Sequence, residues 1–467
     1  MDLQKENTPS PPSPQDHEKG TIENFELDRL GYKQELRRNR SVLTLLFQTL
    51  AIAAIPYGEG SALLSAIYGG GPLSIFVGWI VVCVLDQCIA FSLAELASRY
   101  PTSAGPYYWT FQISRGNKTT LSFINAWIWL IGNWTITLSV NFGFASMLSA
   151  TVSIYHPDWS ASSWQLLLIF YAVCLTSLAI CIFANKHLPL VDTLCASWTL
   201  LTIIIILIAL SVKADTGRHS PSYTLSHYDK SFAGWGNFTF FIGLLPAAYT
   251  FSAIGMITSM AEECADPAVK VPRAISLSVP ISSTPQQAKP SPYILARVMG
   301  SPAGGLGLIS LVLVITVFCS ISITVAASRA TWAVARDDAV PLARMLLGLI
   351  NLGSSSAFTA FVSVGVIALA AAYAIPIFLS LWHGREEVAK APWTCGGIFG
   401  RFVNVVALAW IAFELVLFSM PTALPVTAVS MNYASVVFVG FMAISGVWYV
   451  VYARKYYKGP PESDALD

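Results

Sequence analysis

Apolar residues fall along this chain in long runs separated by short polar stretches. Full-length runs lie at roughly 41–68, 72–98, 119–151, 164–185, 189–212, 236–262, 302–328, 356–382, 401–420 and 431–454. A helix needs about 20 apolar residues to cross a bilayer, and inside lipid it must pair every backbone polar group within itself. Ten such runs predict an all-α polytopic membrane protein, with its transmembrane domain over residues 41–454. Residues 1–40 are polar, proline-rich and charged. They read as a disordered cytoplasmic tail rather than a cleavable leader. Residues 455–467 read as a second, short cytoplasmic tail.

One run is interrupted in a costly way. "IPYGEGSALL", Ile55 to Leu64, places a proline, two glycines and a glutamate in the middle of the first run. Pro56 lacks the backbone donor that a helix interior requires. Gly58 and Gly60 loosen the backbone around Glu59. Together they predict an unwound segment at mid-membrane, tolerated only where protein or a wet cavity encloses it. Ser61-Ala62-Leu63 would then start a second half-helix, whose free amides suit a substrate carboxylate. Glu59, in the same place, suits a cation or a proton. The sixth run holds a matching interruption in "LLPAAYTFSAIGMITSM", at Pro246 and again at Ser252-Ala253-Ile254-Gly255. Secondary transporters with internal repeats pair two discontinuous helices around a midplane site in this way.

Composition sharpens the class. Hydrophobic residues make up 55% of the 467 and charged residues 11%, against ~25% charged in soluble domains. The net charge is +1 and the basic residues are scattered, so nucleic acid is not an expected partner. Eight cysteines, six of them inside apolar runs and none in a CxxC pair, read as small packing residues. No phosphate loop, zinc spacing or His/Cys/Asp loop cluster is present, so no enzyme, metal or cofactor is expected. Asp86 and Glu414 lie mid-run, where ionisable residues are functional candidates; Asp86 joins Glu59 as a possible cation- or proton-coupling group. Glu95 is expected to pack with Arg99 or Arg115. Asn125, Asn133 and Asn141 are expected to bond between helices.

Longer motifs carry a resemblance. "IPYGEGSALLSAIYGGGP" followed by "FSLAELASRYPTSAGPYYW" resembles the amino acid–polyamine–organocation transporters, and within them the fungal amino acid, GABA and choline permeases. "SMAEECADPAVKVPRAI", "SITVAASRATWAVARDDAVPLAR" and "SMNYASVVFVGFMAI" are similar to later family segments in the same order. The resemblance implies a five-plus-five inverted-repeat fold with two extra C-terminal helices. It implies uptake of a small amine or amino acid, coupled to protons, at a fungal plasma membrane. It places substrate on the first and sixth helices, at Gly58, Glu59, Gly60 and Ser61 and at Phe251, Ser252, Ala253 and Gly255. Numbered as a twelve-helix chain with its N-terminus inside, the tails and cytoplasmic loops hold 22 of the 27 Lys and Arg residues.

Two segments depart from the family. After Arg273 the apolar run "AISLSVPI" gives way to "SSTPQQAKPSP", too short to cross. "PLAR" at 341–344 runs straight into "MLLGLINLG", leaving no room for both a loop and the family's ninth helix. Helices seven and nine are therefore expected to be truncated, and the eighth either to invert against its charges or to fail to span. This raises an alternative: a non-transporting product of aberrant splicing or a misassembled reading frame, retained in the endoplasmic reticulum. A nutrient sensor with an extended tail is a further alternative.

Overall fold

A computed structural model describes residues 27–463 except 157, 214–219, 283–291, 340–356 and 428–430. The first run yields α1 (Val42–Ala53), α2 (Ile55–Ser61) and α3 (Leu63–Tyr68). Then come α4 (Pro72–Arg99), α5 (Pro106–Ile113), α6 (Lys118–Val152), α7 (Ser163–Phe183) and α8 (Leu188–Lys213). The sixth run yields α9 (Leu245–Phe251) and a 3-10 helix, Ser252–Glu263. α10 (Pro267–Ser282), α11 (Pro292–Val298), α12 (Pro302–Arg336), α13 (Ala357–Trp382), α14 (Gly397–Leu417) and α15 (Ala434–Trp448) complete the order.

Local chemistry sets the helix starts. Ser41 and Thr44 cap α1 reciprocally, the Ser41 amide donating to Thr44 Oγ1 at 2.8 Å. Gly71 turns the chain at φ 78°, where a side chain would strain, and Pro72 opens α4 at a position that needs no donor.

Among the described residues, nine helices are long and apolar enough to cross a membrane. They correspond to nine of the ten predicted runs. The first run is the exception, because its helix breaks twice. Burial separates inner from outer helices. The most apolar window of Gly236–Glu263 is 83% buried and that of Ala434–Tyr456 only 11%. Large apolar side chains such as Leu175, Ile182 and Val447 face outward, as a lipid-facing surface requires. Inside, α13 lies along α6, α10 along α4 and α1, and α2 against α9.

One expectation is corrected here. α12 neither inverts nor stops short. Its last turns bring Arg329 to Glu263 and Arg336 to Glu262, at the end of the 3-10 helix, beside the start of α1. α10 begins at Pro267, ahead of Lys270 and Arg273, and its 16 residues rise about 24 Å. The chain thus leaves the basic end well before "AISLSVPI". The second expected loss, at 341–345, lies outside the described residues.

Candidate functional site

The two interrupted helices meet. In the first, the break comes at Ala54, whose backbone is left-handed at φ 40°. Pro56 sits in the first turn of α2 and starts that helix instead of breaking one. Its missing donor costs nothing there, since first-turn amides have no helical partner. The helix then runs through Gly58, Glu59 and Gly60 and breaks again at Ala62. The expected unwinding at 56–60 is thus displaced to either side.

Gly58 is a point of close approach. A Cβ there would lie 2.6 Å from Thr250 Oγ1 and 2.9 Å from the Ala53 carbonyl oxygen. Tyr57 donates to the Val140 carbonyl at 3.1 Å, which anchors α2 on α6. Gly60 is half-buried. The side chains of Glu59 and Ser61 lie outside the described residues.

The second interruption is a change of helix type. α9 ends at Phe251, and twelve residues of 3-10 helix follow, a length uncommon for that geometry. Phe251 is buried against Trp79 with ring centroids 4.8 Å apart. Tyr373 of α13 donates to the Ser252 carbonyl at 3.2 Å, and its ring covers Gly255 so closely that a Cβ would lie 2.5 Å from Cε1. Tyr249 and Ser139 of α6 bond hydroxyl to hydroxyl at 2.9 Å. Ala253 is buried and Ser252 half-buried.

Two small cavities of about 10 Å³ each flank this junction, enough for roughly one water. One is lined by Thr49, Ala53, Thr250, Ala253 and Ser278 among others. The other brings together Phe251, Ser252, Tyr373 and two carboxyl groups, Asp86 of α4 and Glu414 of α14. Trp410 donates to Asp86 Oδ1 at 2.8 Å, while Asp86 Oδ2 is buried without a partner. Both carboxyl groups are 3% exposed, and among the described residues neither is in an ion pair. Nothing in the sequence said that residues 86 and 414 share a cavity.

Three other polar expectations resolve differently. Glu95 pairs with neither Arg99 nor Arg115 but with Arg385 at 2.7 Å, and also accepts from the Cys395 amide. Arg99 pairs with Glu387 and Arg115 with Glu386. The last turns of α4 face the loop after α13, which supplies these partners. Asn125 donates to the Pro106 carbonyl and Thr110, and Asn141 to Cys174, so both bond between helices. Asn133 instead donates to Trp129, one turn back in its own helix.

The basic end is tied by a network. Arg40 bridges Asp192 at 3.1 Å and Glu263 at 2.9 Å, fully buried. Glu263 also binds Arg329 at 2.6 Å. Asp337 accepts from Tyr32 and Tyr107, each at 2.8 Å. Leu27, Leu30 and Tyr32 are buried, so the final part of the expected tail, 27–40, packs on the bundle. Residues 1–26 lie outside the described residues.

The comparisons with known proteins agree with this architecture. Residues 41–347 match the family model for amino acid permease. The amino-acid permease BAT1 of Arabidopsis thaliana is 27% identical, over 93% of this chain and 95% of that protein. The choline transporter of Saccharomyces cerevisiae is 26% identical, over 92% of this chain and 83% of that protein. The GABA-specific permease of the same yeast is 26% identical, over 95% and 87%. The BAT1 alignment extends over 499 positions, whereas 93% of 467 residues is about 434, so about 65 positions have no counterpart here. A polytopic helical chain with two apposed helix breaks, matched by this family over most of its length, belongs to the amino acid permease family.

Proposed function

We propose that the protein is a secondary active transporter that imports a small amine or amino acid, with GABA, choline or an amino acid as substrate and protons as the coupling ion. The carrying observation is the apposition of α2 and α9, two discontinuous helices that touch at Gly58 and Thr250 inside the bundle. Substrate contacts fall to Gly58, Glu59, Gly60 and Ser61 on one side and Phe251, Ser252, Ala253 and Gly255 on the other. Small residues let backbone come close to a ligand, and Glu59 supplies the charge that an ammonium group requires. The cavities of about 10 Å³ then belong to a closed conformation, since ligand sites open to several hundred Å³.

Coupling falls to Glu59 and to Asp86, the latter paired with Glu414. Two carboxyl groups in one buried cavity resist double ionisation, which suits them to proton exchange. A five-plus-five inverted repeat with two added helices, and with helices seven and nine truncated, accounts for breaks five runs apart and for about 65 missing positions. A plasma-membrane location follows from the uptake role.

Uptake of labelled GABA, choline and amino acids into proteoliposomes tests the reading. An inward acid gradient is expected to drive accumulation of one of them, and a protonophore to abolish it. Asp86→Asn is expected to retain substrate exchange and lose gradient-driven accumulation. A well-inserted chain that takes up none of them under any ion gradient overturns the transport reading in favour of the truncated product.

A further inference from the structure

A cavity of about 430 Å³ opens at the basic end of the bundle, between the C-terminus of α5, the N-terminus of α6 and the chain after α13. Ser114, Arg115, Lys118, Ser380, His383 and Arg385 line it. Four of their atoms are buried without a hydrogen-bond partner: Ser114 Oγ, Ser380 Oγ, His383 Nδ1 and Arg385 Nη1. Buried polar atoms are nearly always paired, so four orphans around one cavity call for an explanation. Arg385 is held from behind. Its Nη2 donates to Glu95 and to the Gly396 carbonyl, which leaves Nη1 free.

A second feature converges on the same place. Lys118 is the first residue of α6, a 35-residue helix whose N-cap, Asn117, sits at φ 50° and caps nothing with its side chain. The first-turn amides of a long helix are thus left to another acceptor, with the positive dipole end behind them. The two acids on the cavity wall do not cancel this field. Glu386 is neutralised by Arg115 and Glu387 by Arg99 and Lys390. The Lys118–Glu462 pair is solvent-exposed, and such pairs are weak enough to yield to a stronger anion.

The surroundings indicate where the anion comes from. Trp382 precedes His383, is 74% exposed and stacks on Phe378. An exposed aromatic pair beside the cavity marks the headgroup level of a bilayer, where the phosphates of anionic lipids lie.

We propose that this cavity binds a phosphate-bearing anion, supplied by an anionic phospholipid headgroup. Hydroxyls of Ser114 and Ser380, Arg385 Nη1 and the α6 amides donate to its oxygens, and Lys118 balances its charge. The site is separate from the helix breaks, so it stands or falls apart from the transport reading.

Thermal unfolding of the full chain in detergent tests it, with phosphatidic acid, phosphatidylcholine or inorganic phosphate added. Phosphatidic acid is expected to raise the midpoint and phosphatidylcholine to leave it unchanged. Lys118→Glu and the milder Ser380→Ala are each expected to raise the lipid concentration for half the shift about tenfold, by loss of affinity for the folded state alone. An equal response to inorganic phosphate, lost in both variants, keeps the anion site and overturns the lipid source. Equal responses to the two lipids, or responses unchanged in both variants, overturn the site.

Discussion

At Gly58 the backbone of one broken helix comes within reach of the other, and a single methyl group is enough to disturb the contact. Gly58→Ala places a Cβ against Thr250 Oγ1 and the Ala53 carbonyl. Overpacking of this kind costs about 1–3 kcal/mol. Reduced uptake is expected with normal surface expression, and Gly58→Ala/Thr250→Ala is expected to recover part of it, because the carbonyl clash remains. Full uptake in Gly58→Ala would show that the contact has no part in transport. Glu95 and Glu387 offer a contrast at the same scale. Glu95→Gln strands Arg385, whose side chain is 6% exposed, and breaking a buried pair costs about 3–5 kcal/mol. Glu387→Gln removes an acid that is 24% exposed, worth about 1 kcal/mol or less. The unfolding midpoint is expected to fall clearly for the first variant and barely for the second.

At the level of elements, the segment before α1 is latched to the end of α12 by a titratable group. Burial pushes the Asp337 carboxyl up to about 6, against the pull of Arg336 and the hydroxyls of Tyr107 and Tyr32. Glu262 also faces it, as do Tyr108 and Tyr457. A carboxyl raised in the folded state binds its proton more tightly there than in the open chain. Its contribution is therefore whole below about pH 4 and lost as pH climbs to about 6. Amide exchange at Leu30 and Tyr32, corrected for intrinsic rates, is expected to be slower at pH 4.5 than at pH 7. The difference is on the order of tenfold, and it should disappear in Asp337→Asn. How legible such elements are in the sequence depends on the cause. Pro56 and Ser252 announced two interruptions, because proline and small polar residues act locally. The break at Ala54 itself was not announced, since alanine favours helix and here adopts a left-handed φ of 40°. The 3-10 geometry after Phe251 is stabilised by Tyr373, more than a hundred residues away. The pairing of Glu95 with Arg385 spans 290 positions. Patterns report what neighbours in the chain do, and these features are set by neighbours in space.

For the whole molecule, direction is the constraint. α12 ends at the basic end, where Arg329 and Arg336 meet Glu263 and Glu262. α13 ends there too, because Arg385, just beyond it, binds Glu95 near the end of α4. Two successive helices pointing the same way require a return across the bilayer between them. Residues 340–356 are all that connects Ala339 to Ala357, and 17 helical residues rise about 26 Å against a hydrocarbon core of about 30 Å. The same stretch contains Arg344 and has no polar residues to spare for a turn at its start. The BAT1 alignment carries about 65 more positions, enough for one further crossing with its loops and for the rest of a second. The expected outcome of long-read sequencing is therefore specific. Messages that support uptake should carry about 20 extra apolar codons near Ile281–Pro290 and again at Arg344–Met345. Restoring both segments should raise surface expression and uptake together, because the second supplies a bilayer return that the present chain is too short to make and the first completes a helix that now rises about 24 Å against about 30 Å. If every message keeps the present junctions and the 467-residue chain transports, the added segments are not needed for uptake. Labelling from outside should then reach Ser301→Cys but not Asp338→Cys, since the two ends of α12 would still lie on opposite sides.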